Sequence, residues 1–463
     1  MSRQNKKARC RAGPRPTLPA VGLVSLGCAK NLVDSERLLG LVGGEGFPVC
    51  ADPDAAEIVL VNTCAFIAPA VEETRGEIER LVLRKRDGRC RAVVVLGCFP
   101  KRFGPEGRPP GVDGWFGIGE EGRIAAFLRS WARGGGEEPE ALLPAAGGGA
   151  PEPLGADVGR LRCTPAHWAY LRVTEGCDNR CRYCTIPSIR GPLRCKPLDR
   201  IAFEARELAA SGARELVLIG QDTAAWKGED GRGLESALET LAGVPGVDWI
   251  RVLYAHPAHV SGALVKALAS GPPVLPYLDL PVQHASDRVL RAMSRPTGCD
   301  DLRRLVSRLR ESVPGIVLRT TVMAGFPGET EAEFEELKAF LAWARFERAG
   351  AFLYSPEEGT EASALPGRVD AATGRRRLEE VLALGERLRD EFHASRVGSE
   401  ADAFVEGPES GGTAARTAAE APEVDPRVLL RERIPPGARG RLRITGLRGP
   451  DLTGQWMGKG SGT

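Results

Sequence analysis

Three cysteines, Cys177, Cys181 and Cys184, fall within the run Gly-Cys-Asp-Asn-Arg-Cys-Arg-Tyr-Cys. The Cys-x-x-x-Cys-x-x-Cys spacing lets one short loop give a thiolate to each of three irons of a cubane iron–sulfur cluster. The motif leaves the fourth iron without a ligand. A ferredoxin-type carrier closes all four positions with cysteine. An open iron is a place where something else coordinates, which describes a catalyst rather than a wire. Zinc sites usually join one close cysteine pair to a second pair, so three ligands in this one run suit a cubane better. A disulfide loop is the other plain reading.

A second set is spread along the chain. Cys28, Cys64 and Cys98 occur as Leu-Gly-Cys, Asn-Thr-Cys and Leu-Gly-Cys, each just past the end of an expected strand. In a parallel sheet such ends lie side by side, at the edge where α/β folds build ligand sites. Three thiols would converge there, and the glycines before Cys28 and Cys98 allow close backbone approach. One buried free cysteine is ordinary, but three at equivalent positions predict a second three-cysteine cluster. Cys10, Cys50, Cys90, Cys163, Cys195 and Cys299 lack the pattern and read as structural or incidental, with Cys195, near the cluster loop, the strongest exception.

The elements that must hold these residues are legible as alternating apolar runs. β-Branched runs at Val21–Leu26, Ile58–Val61 and Ala92–Leu96 alternate with helical patterns at Asn31–Val42 and Ala68–Arg84, which predicts a small parallel α/β domain. Residues 134–159, rich in Gly, Pro, Ala and Glu, read as a linker. From Trp168 the alternation restarts and runs six times, with strands near Ala169–Val173, Glu215–Ile219, Trp249–Leu253, Tyr277–Leu280, Ile316–Met323 and Ala351–Tyr354. Helical patterns follow at Leu198–Ala210, Val260–Ala269, Asp300–Glu311 and Glu331–Arg345, and an amphipathic helix at Arg375–Arg396. Short strands at Ala403–Val405, Val428–Leu430 and Arg441–Thr445 predict a terminal small antiparallel β-barrel of the OB-like kind.

Bulk properties set outer bounds. The chain has 463 residues, a net charge of +2 and 12 cysteines. That charge gives no global field for nucleic acid or membrane, and no apolar run is long enough to span a bilayer. The sparse cysteines imply a reducing compartment with thiols free for metal, and so a cytoplasmic protein. The first twenty residues carry Lys6, Lys7, Arg9, Arg11 and Arg15 without an acid and read as a disordered basic arm.

The cysteine loop, with Tyr183 just before its last cysteine, resembles the radical S-adenosylmethionine (SAM) superfamily, and the six βα units fit the partial (β/α)6 barrel this implies rather than a closed eight-fold one. Over Val21 to Trp456 the chain is similar to the methylthiotransferase family, with an N-terminal three-cysteine domain, a radical-SAM core and a C-terminal TRAM domain. The expected boundaries are 1–20, 21–133, 134–160, 161–396 and 397–463. Ser-Leu-Gly-Cys28-Ala-Lys-Asn-Leu-Val-Asp-Ser-Glu36 resembles the RimO-type branch, which modifies an aspartate of ribosomal protein uS12. The sister branch, acting on transfer-RNA adenosine, typically has Gln-Met-Asn after this cysteine. Val-Asn-Thr-Cys64-Ala-Phe-Ile, Ile-Gly-Gln-Asp222-Thr, Tyr-Leu-Asp-Leu-Pro-Val-Gln-His284, Gly-Phe-Pro-Gly-Glu-Thr330, Tyr-Ser-Pro-Glu-Glu-Gly-Thr360 and Ala-Pro-Glu-Val-Asp425 extend the likeness. Tyr-Ala-His256-Pro leans toward the transfer-RNA branch, and Gly407–Ala418 reads as a Gly/Ala-rich insertion.

The resemblance implies two 4Fe-4S clusters, on Cys177, Cys181 and Cys184 and on Cys28, Cys64 and Cys98, with SAM as radical source and methyl donor. It also implies uS12 as partner, a flavodoxin or ferredoxin as electron donor, a sulfur donor, and no membrane. Replacing an unactivated C–H by C–S–CH3 is beyond a general base, so the step falls to the cofactor. Candidate SAM-holding residues are Tyr183, Gly220, Gln221, Asp222, Gly325 and Gly328. The glycines serve equally as strand-end turns and Asp222 equally as a helix N-cap. His284 reads as a core histidine or a substrate contact, and Glu329 and Glu331 as favouring a helix start. Beyond Arg396 the basic run Arg439, Arg441, Arg443 and Arg448 has few aromatics near it, Phe404 and Trp456. RNA-binding barrels combine basic grooves with stacking platforms, so this barrel fits a protein partner better.

Overall fold

The computed structural model describes residues 18–134 and 154–458. The basic arm up to residue 17, with Cys10, and most of the expected linker lie outside the described residues. Strands β1 (Val21–Ser25), β2 (Ile58–Thr63), β3 (Ala92–Gly97) and β4 (Gly114–Phe116) form a parallel sheet in that order. Its central strands, IVLVNT and AVVVLG, are buried at every position, as continuous apolar runs covered on both faces must be. Helix α1 (Ala29–Gly44) packs on one face with Val21, Leu38, Val42 and Phe127, and the Ala68–Arg86 helix packs on the other with Val59, Val61 and Ile78.

The second unit is a six-stranded, wholly parallel sheet of β5 (Trp168–Arg172), β6 (Glu215–Ile219), β7 (Trp249–Val252), β8 (Val274–Asp279), β9 (Val317–Ala324) and β10 (Arg348–Leu353), adjacent in chain order. The two-residue periodicity of strands divides its side chains. Leu171, Leu216, Leu218, Ile250 and Val252 face the outer helices. Trp168, Tyr170, Val217, Ile219 and Trp249 face inward, against Phe404 and Ala421 of the terminal domain and Ala29 and Val33 of α1.

The terminal unit is a closed barrel of β11 (Glu400–Glu409), β12 (Gly412–Thr417), β13 (Val428–Leu430), β14 (Arg439–Arg448) and β15 (Asp451–Gly458). Its pairings are antiparallel except β13 with β15, which is parallel. Gly407–Ala418 is no added loop. It holds the end of β11 and all of β12, whose Ala414 and Ala415 are buried, and small residues suit a tight barrel wall. The barrel is fastened to the concave face of the parallel sheet by buried charges. Glu215 receives Arg251 Nε at 2.8 Å and forms an ion pair with Arg416 Nη2 at 2.8 Å, and Asp425 receives Tyr277 Oη at 2.7 Å and Arg319 Nη1 at 2.8 Å. The Ala-Pro-Glu-Val-Asp425 motif is thus a plug in the sheet. The expected linker also ends earlier than composition suggested, since Leu154 and Asp157 are already buried.

Candidate functional site

Each of Cys28, Cys64 and Cys98 follows a strand of the first sheet, and because β1, β2 and β3 are neighbours the three come together. Cys28 caps the N-terminus of α1. Gly27 and Gly97 have φ of +92° and +95°, and a side chain on Gly27 would meet Cys64 Sγ at 3.2 Å. Asn31, in the first turn of α1, ties the edge together. Its Nδ2 donates to the carbonyls of Leu26 at 3.0 Å and Thr63 at 2.8 Å, and its Oδ1 lies 3.6 Å from Cys98 Sγ. Burial opposes ionisation at all three thiols. At Cys28 it is outweighed by Lys30, Arg190 and the helix-end N–H groups, and its pKa falls below the ordinary thiol value. Burial holds Cys64 high and pushes Cys98 up to about 12.

The other triad sits past the end of β5, at the mouth where the C-terminal ends of the parallel strands open. Asn179 Nδ2 donates to Cys177 Sγ and the Ile186 N–H to Cys184 Sγ, both at 3.4 Å, while Arg295 Nη1 is 3.9 Å from Cys181 Sγ. Burial raises the Cys177 thiol and pushes Cys184 up to about 12. Each must lose a proton to bind iron, and these N–H donors face the sulfurs that would carry the charge. A single zinc at about 2.3 Å from each sulfur requires thiols roughly 4 Å apart. Among the described residues, the one trio of Cys, His, Asp or Glu ligand atoms within 4.8 Å of one another is Asp222, His256 and His259, so both cysteine triads are too open for one zinc.

One five-residue helix joins the triads. Ile186–Arg190 begins two residues after Cys184, puts Ile189 into the first domain's core beside Cys98 and Phe99, and directs Arg190 at Cys98 Sγ, 3.6 Å away. Arg190 also donates to Asn31 Oδ1, to Asp34 at 3.0 Å and to Glu175 at 3.0 Å. Two further staples cross the same boundary: Thr185 Oγ1 donates to the Phe66 carbonyl at 3.0 Å, and Glu357 receives Ala68 N–H at 2.7 Å and Arg102 at 2.8 Å. Asn31, Asp34, Ser35, Arg190 and Glu357 were missed as functional residues from sequence. For Asn31, Asp34 and Ser35 the signal was the i, i+3, i+4 spacing of polar groups on α1, which puts them on one helix face; Arg190 and Glu357 gave none.

The SAM candidates divide. Gln221 Nε2 is held by Glu175 Oε1 at 3.0 Å, while its Oε1 is buried and makes no hydrogen bond. Asp222 stands at the N-cap position of a 3-10 turn, Thr223–Ala225, but its side chain makes no capping hydrogen bond. Its carboxylate receives Asn179 Nδ2 at 2.7 Å, bonds His259 Nδ1 at 2.6 Å and receives the His256 N–H at 3.2 Å. Against burial, His259, His256 and Asn179 hold its pKa below the usual carboxylate value. Gly220 is explained by packing, since a side chain there would collide with Thr174 Oγ1. Gly325 and Gly328 adopt φ of +76° and +80° after β9. Tyr183 is buried edge-on to Phe326 beside Cys181 and Cys184. Glu329 does not serve the helix start, which Thr330 and Glu333 cap. It receives the N–H of Phe326 at 2.9 Å and that of Gly325, and stands 4.0 Å from the fully buried His284, whose Nδ1 receives Ser286 N–H. Glu331 does lie in that helix's first turn. Buried polar atoms with no hydrogen bond include Gln221 Oε1, His256 Nε2, Arg295 Nε and Tyr354 Oη. Buried polar groups are normally paired, so this mouth fits a polar ligand. Cys195 is turned away, its sulfur receiving Lys227 N–H at 3.3 Å.

An open parallel βα sheet with a cysteine-loop mouth, a docked three-cysteine domain and a terminal barrel defines the class. Residues 171–341 match the Radical SAM superfamily, 20–117 the Uncharacterized protein family UPF0004, and 397–457 the TRAM domain. The fold is similar to the radical S-adenosylmethionine methyltransferase TsrM from Kitasatospora setae, with TM-score 0.51 and 17% identity, covering 73% of this chain and 74% of that one. Two curated relatives bear the name ribosomal protein uS12 methylthiotransferase RimO. That of Pelotomaculum thermopropionicum is 41% identical over 94% of this chain and 98% of its own, and that of Desulforudis audaxviator is 43% identical over 93% and 96%. The chain belongs to the RimO family of radical SAM methylthiotransferases. Membership implies a 4Fe-4S cluster and SAM. No helix among the described residues is long and apolar enough to cross a membrane.

Proposed function

We propose that this enzyme converts an aspartate of small-subunit ribosomal protein uS12 to 3-methylthioaspartate, with one 4Fe-4S cluster on Cys177, Cys181 and Cys184 and a second on Cys28, Cys64 and Cys98. The observation that carries the reading is the joining of the two triads by the Ile186–Arg190 helix. Together the bound cofactors supply hydrogen abstraction from an unactivated carbon and a methyl-bearing sulfur to take its place. The chain's own residues position and shield. Asn179 and the Ile186 amide hold thiolates by N–H···S contacts, Gln221 and His256 present unpaired polar atoms to SAM, and Arg190 fixes the cysteine edge against the mouth. Three staples at one boundary keep the reacting groups within reach of one another.

The terminal barrel supports a protein substrate over transfer RNA. Arg439 is paired with Asp248, and Arg441 and Arg443 share Glu400, so the basic run is partly neutralised from within. Phe404 is buried against Trp249 and Trp456 is half-buried on the barrel core, leaving little to stack on a base. A cytoplasmic setting, a flavodoxin or ferredoxin as electron donor and a separate sulfur donor complete the proposal. Mass spectra of uS12 peptides and digested transfer RNA from cells with and without the protein test it. Loss of the methylthio group from the uS12 aspartate on deletion is expected. Loss from transfer-RNA adenosine instead refutes the substrate.

A further inference from the structure

Lys30 stands two residues beyond Cys28 in the first turn of α1, where the helix N–H groups already present positive charge. A cation there is unfavourable unless an anion shares the space. Its side chain is buried, with the residue 8% exposed, and its ammonium lies 3.4 Å from the centroid of the Tyr254 ring. Among the described residues it makes no hydrogen bond and no ion pair within 4.0 Å. Lysines this buried are almost always paired.

Tyr254 is held for this contact. It follows β7 with φ +61°, a left-handed conformation that costs a non-glycine residue about 1 kcal/mol or more. Its N–H donates to Asp279 Oδ2 at 3.2 Å and its carbonyl receives Thr223 N–H at 2.9 Å. Cys28 is within electrostatic reach of both Lys30 and the Tyr254 hydroxyl. The nearby Asp279 is directed to Tyr254 N–H and, at 3.8 Å, to Arg319. The ammonium therefore rests on an aromatic floor, next to the cysteine edge, with no carboxylate of the described residues within 4.0 Å.

We propose that Lys30 is the anion receptor of the substrate site, taking the carboxylate of the residue to be modified above the Tyr254 ring and beside Cys28. The inference rests on the aspartate substrate proposed above. In an aspartate the carboxyl carbon is bonded to the carbon that gains sulfur, so anchoring the carboxylate leaves the reacting C–H one bond away. A neutral base offers no such handle.

The test uses the reconstituted full chain and purified uS12 carrying either the target aspartate or asparagine, with binding read by fluorescence anisotropy. The wild type should prefer the aspartate form by roughly 10- to 100-fold, the worth of a charged hydrogen bond. Lys30→Met should bring that ratio close to one, and Lys30→Arg should keep several-fold preference. A ratio cancels folding or loading defects, which weaken both forms alike. Lys30→Met with an undiminished ratio overturns the inference, as does a shifted cluster potential with the ratio intact, which would make Lys30 a counter-charge only. A wild type that methylthiolates uS12 without preferring aspartate in binding overturns the inference alone. A wild type that leaves uS12 unmodified overturns the substrate reading and the inference with it.

Discussion

Replacing Arg190 by Met should loosen the three-cysteine domain from the radical-SAM mouth. The guanidinium is buried and serves four groups in two domains: Asn31, Asp34 and Cys98 on one side and Glu175 on the other. Breaking a buried ion pair by removing one partner costs about 3–5 kcal/mol when the other charge is left bare. Here it is not wholly bare, because Arg172 Nη1 still donates to Asp34 and Glu175, each at 2.6 Å. The lower end, about 3 kcal/mol, is therefore expected. At 1.4 kcal/mol per factor of ten, that is about a hundredfold loss of hydrogen-exchange protection for amides exposed by opening of this boundary. Amides around Asn31–Asp34 and Thr63 should lose it, while the outer helices of the parallel sheet keep theirs. The Cys98 thiol, already pushed up to about 12 by burial, also loses the cation that most opposes that shift. Iron retained at the first triad, measured with Cys177, Cys181 and Cys184 replaced by Ala, should fall in parallel. Protection within threefold of wild type at those amides, with iron unchanged, would refute the claim that Arg190 is the joint between the triads.

Arg416→Met leaves Glu215 with only Arg251 in a fully buried setting. It should cost about 3 kcal/mol and expose the chain near Val397 to limited proteolysis; resistance equal to wild type would count against the charge-fastened barrel. Gly220→Ala should destabilise the parallel-sheet domain by roughly 1–3 kcal/mol through overpacking, and Thr174→Ala should restore most of it. Failure of that rescue would return Gly220 to the SAM site. His393 is fully buried, neither ring nitrogen makes a hydrogen bond, and burial together with Arg348 lowers its pKa to about 4. An unfolded histidine takes its proton near pH 6.5, so the stability His393 contributes is complete above that value. It drains away as pH falls toward 4, amounting to about 2 kcal/mol lost by pH 5. His393→Leu should lack this loss in urea unfolding at pH 7 and pH 5, and an unchanged pH dependence would exonerate His393.

What was legible in sequence was whatever local spacing enforces. The cysteine loop occupies one turn of chain, and the strand-end position of Cys28, Cys64 and Cys98 follows from apolar runs whose neighbours in sequence are neighbours in the sheet. Strands β6 and β13 and the Leu198–Ala210 helix appear where their patterns place them. β4 escaped because a three-residue strand is a weak signal, and the 12-residue Glu121–Ala132 helix was not singled out. The roles of glycines and acids were harder, because they depend on partners far along the chain. Gly220 answers to Thr174, 46 residues earlier by number, and Glu357 caps the Ala68–Arg86 helix across 289 residues. Charge was the least legible of all. A sequence shows Lys30 as one more basic residue in a chain with balanced charge, and only the structure shows that Arg190, Arg172 and Arg416 have carboxylates while Lys30 has none. A largely buried cation that rests on an aromatic ring and not on a carboxylate keeps its charge available for an anion that a bound group brings. That asymmetry, rather than any motif, marks the Lys30 side of the cysteine edge as the place proposed for the substrate carboxylate.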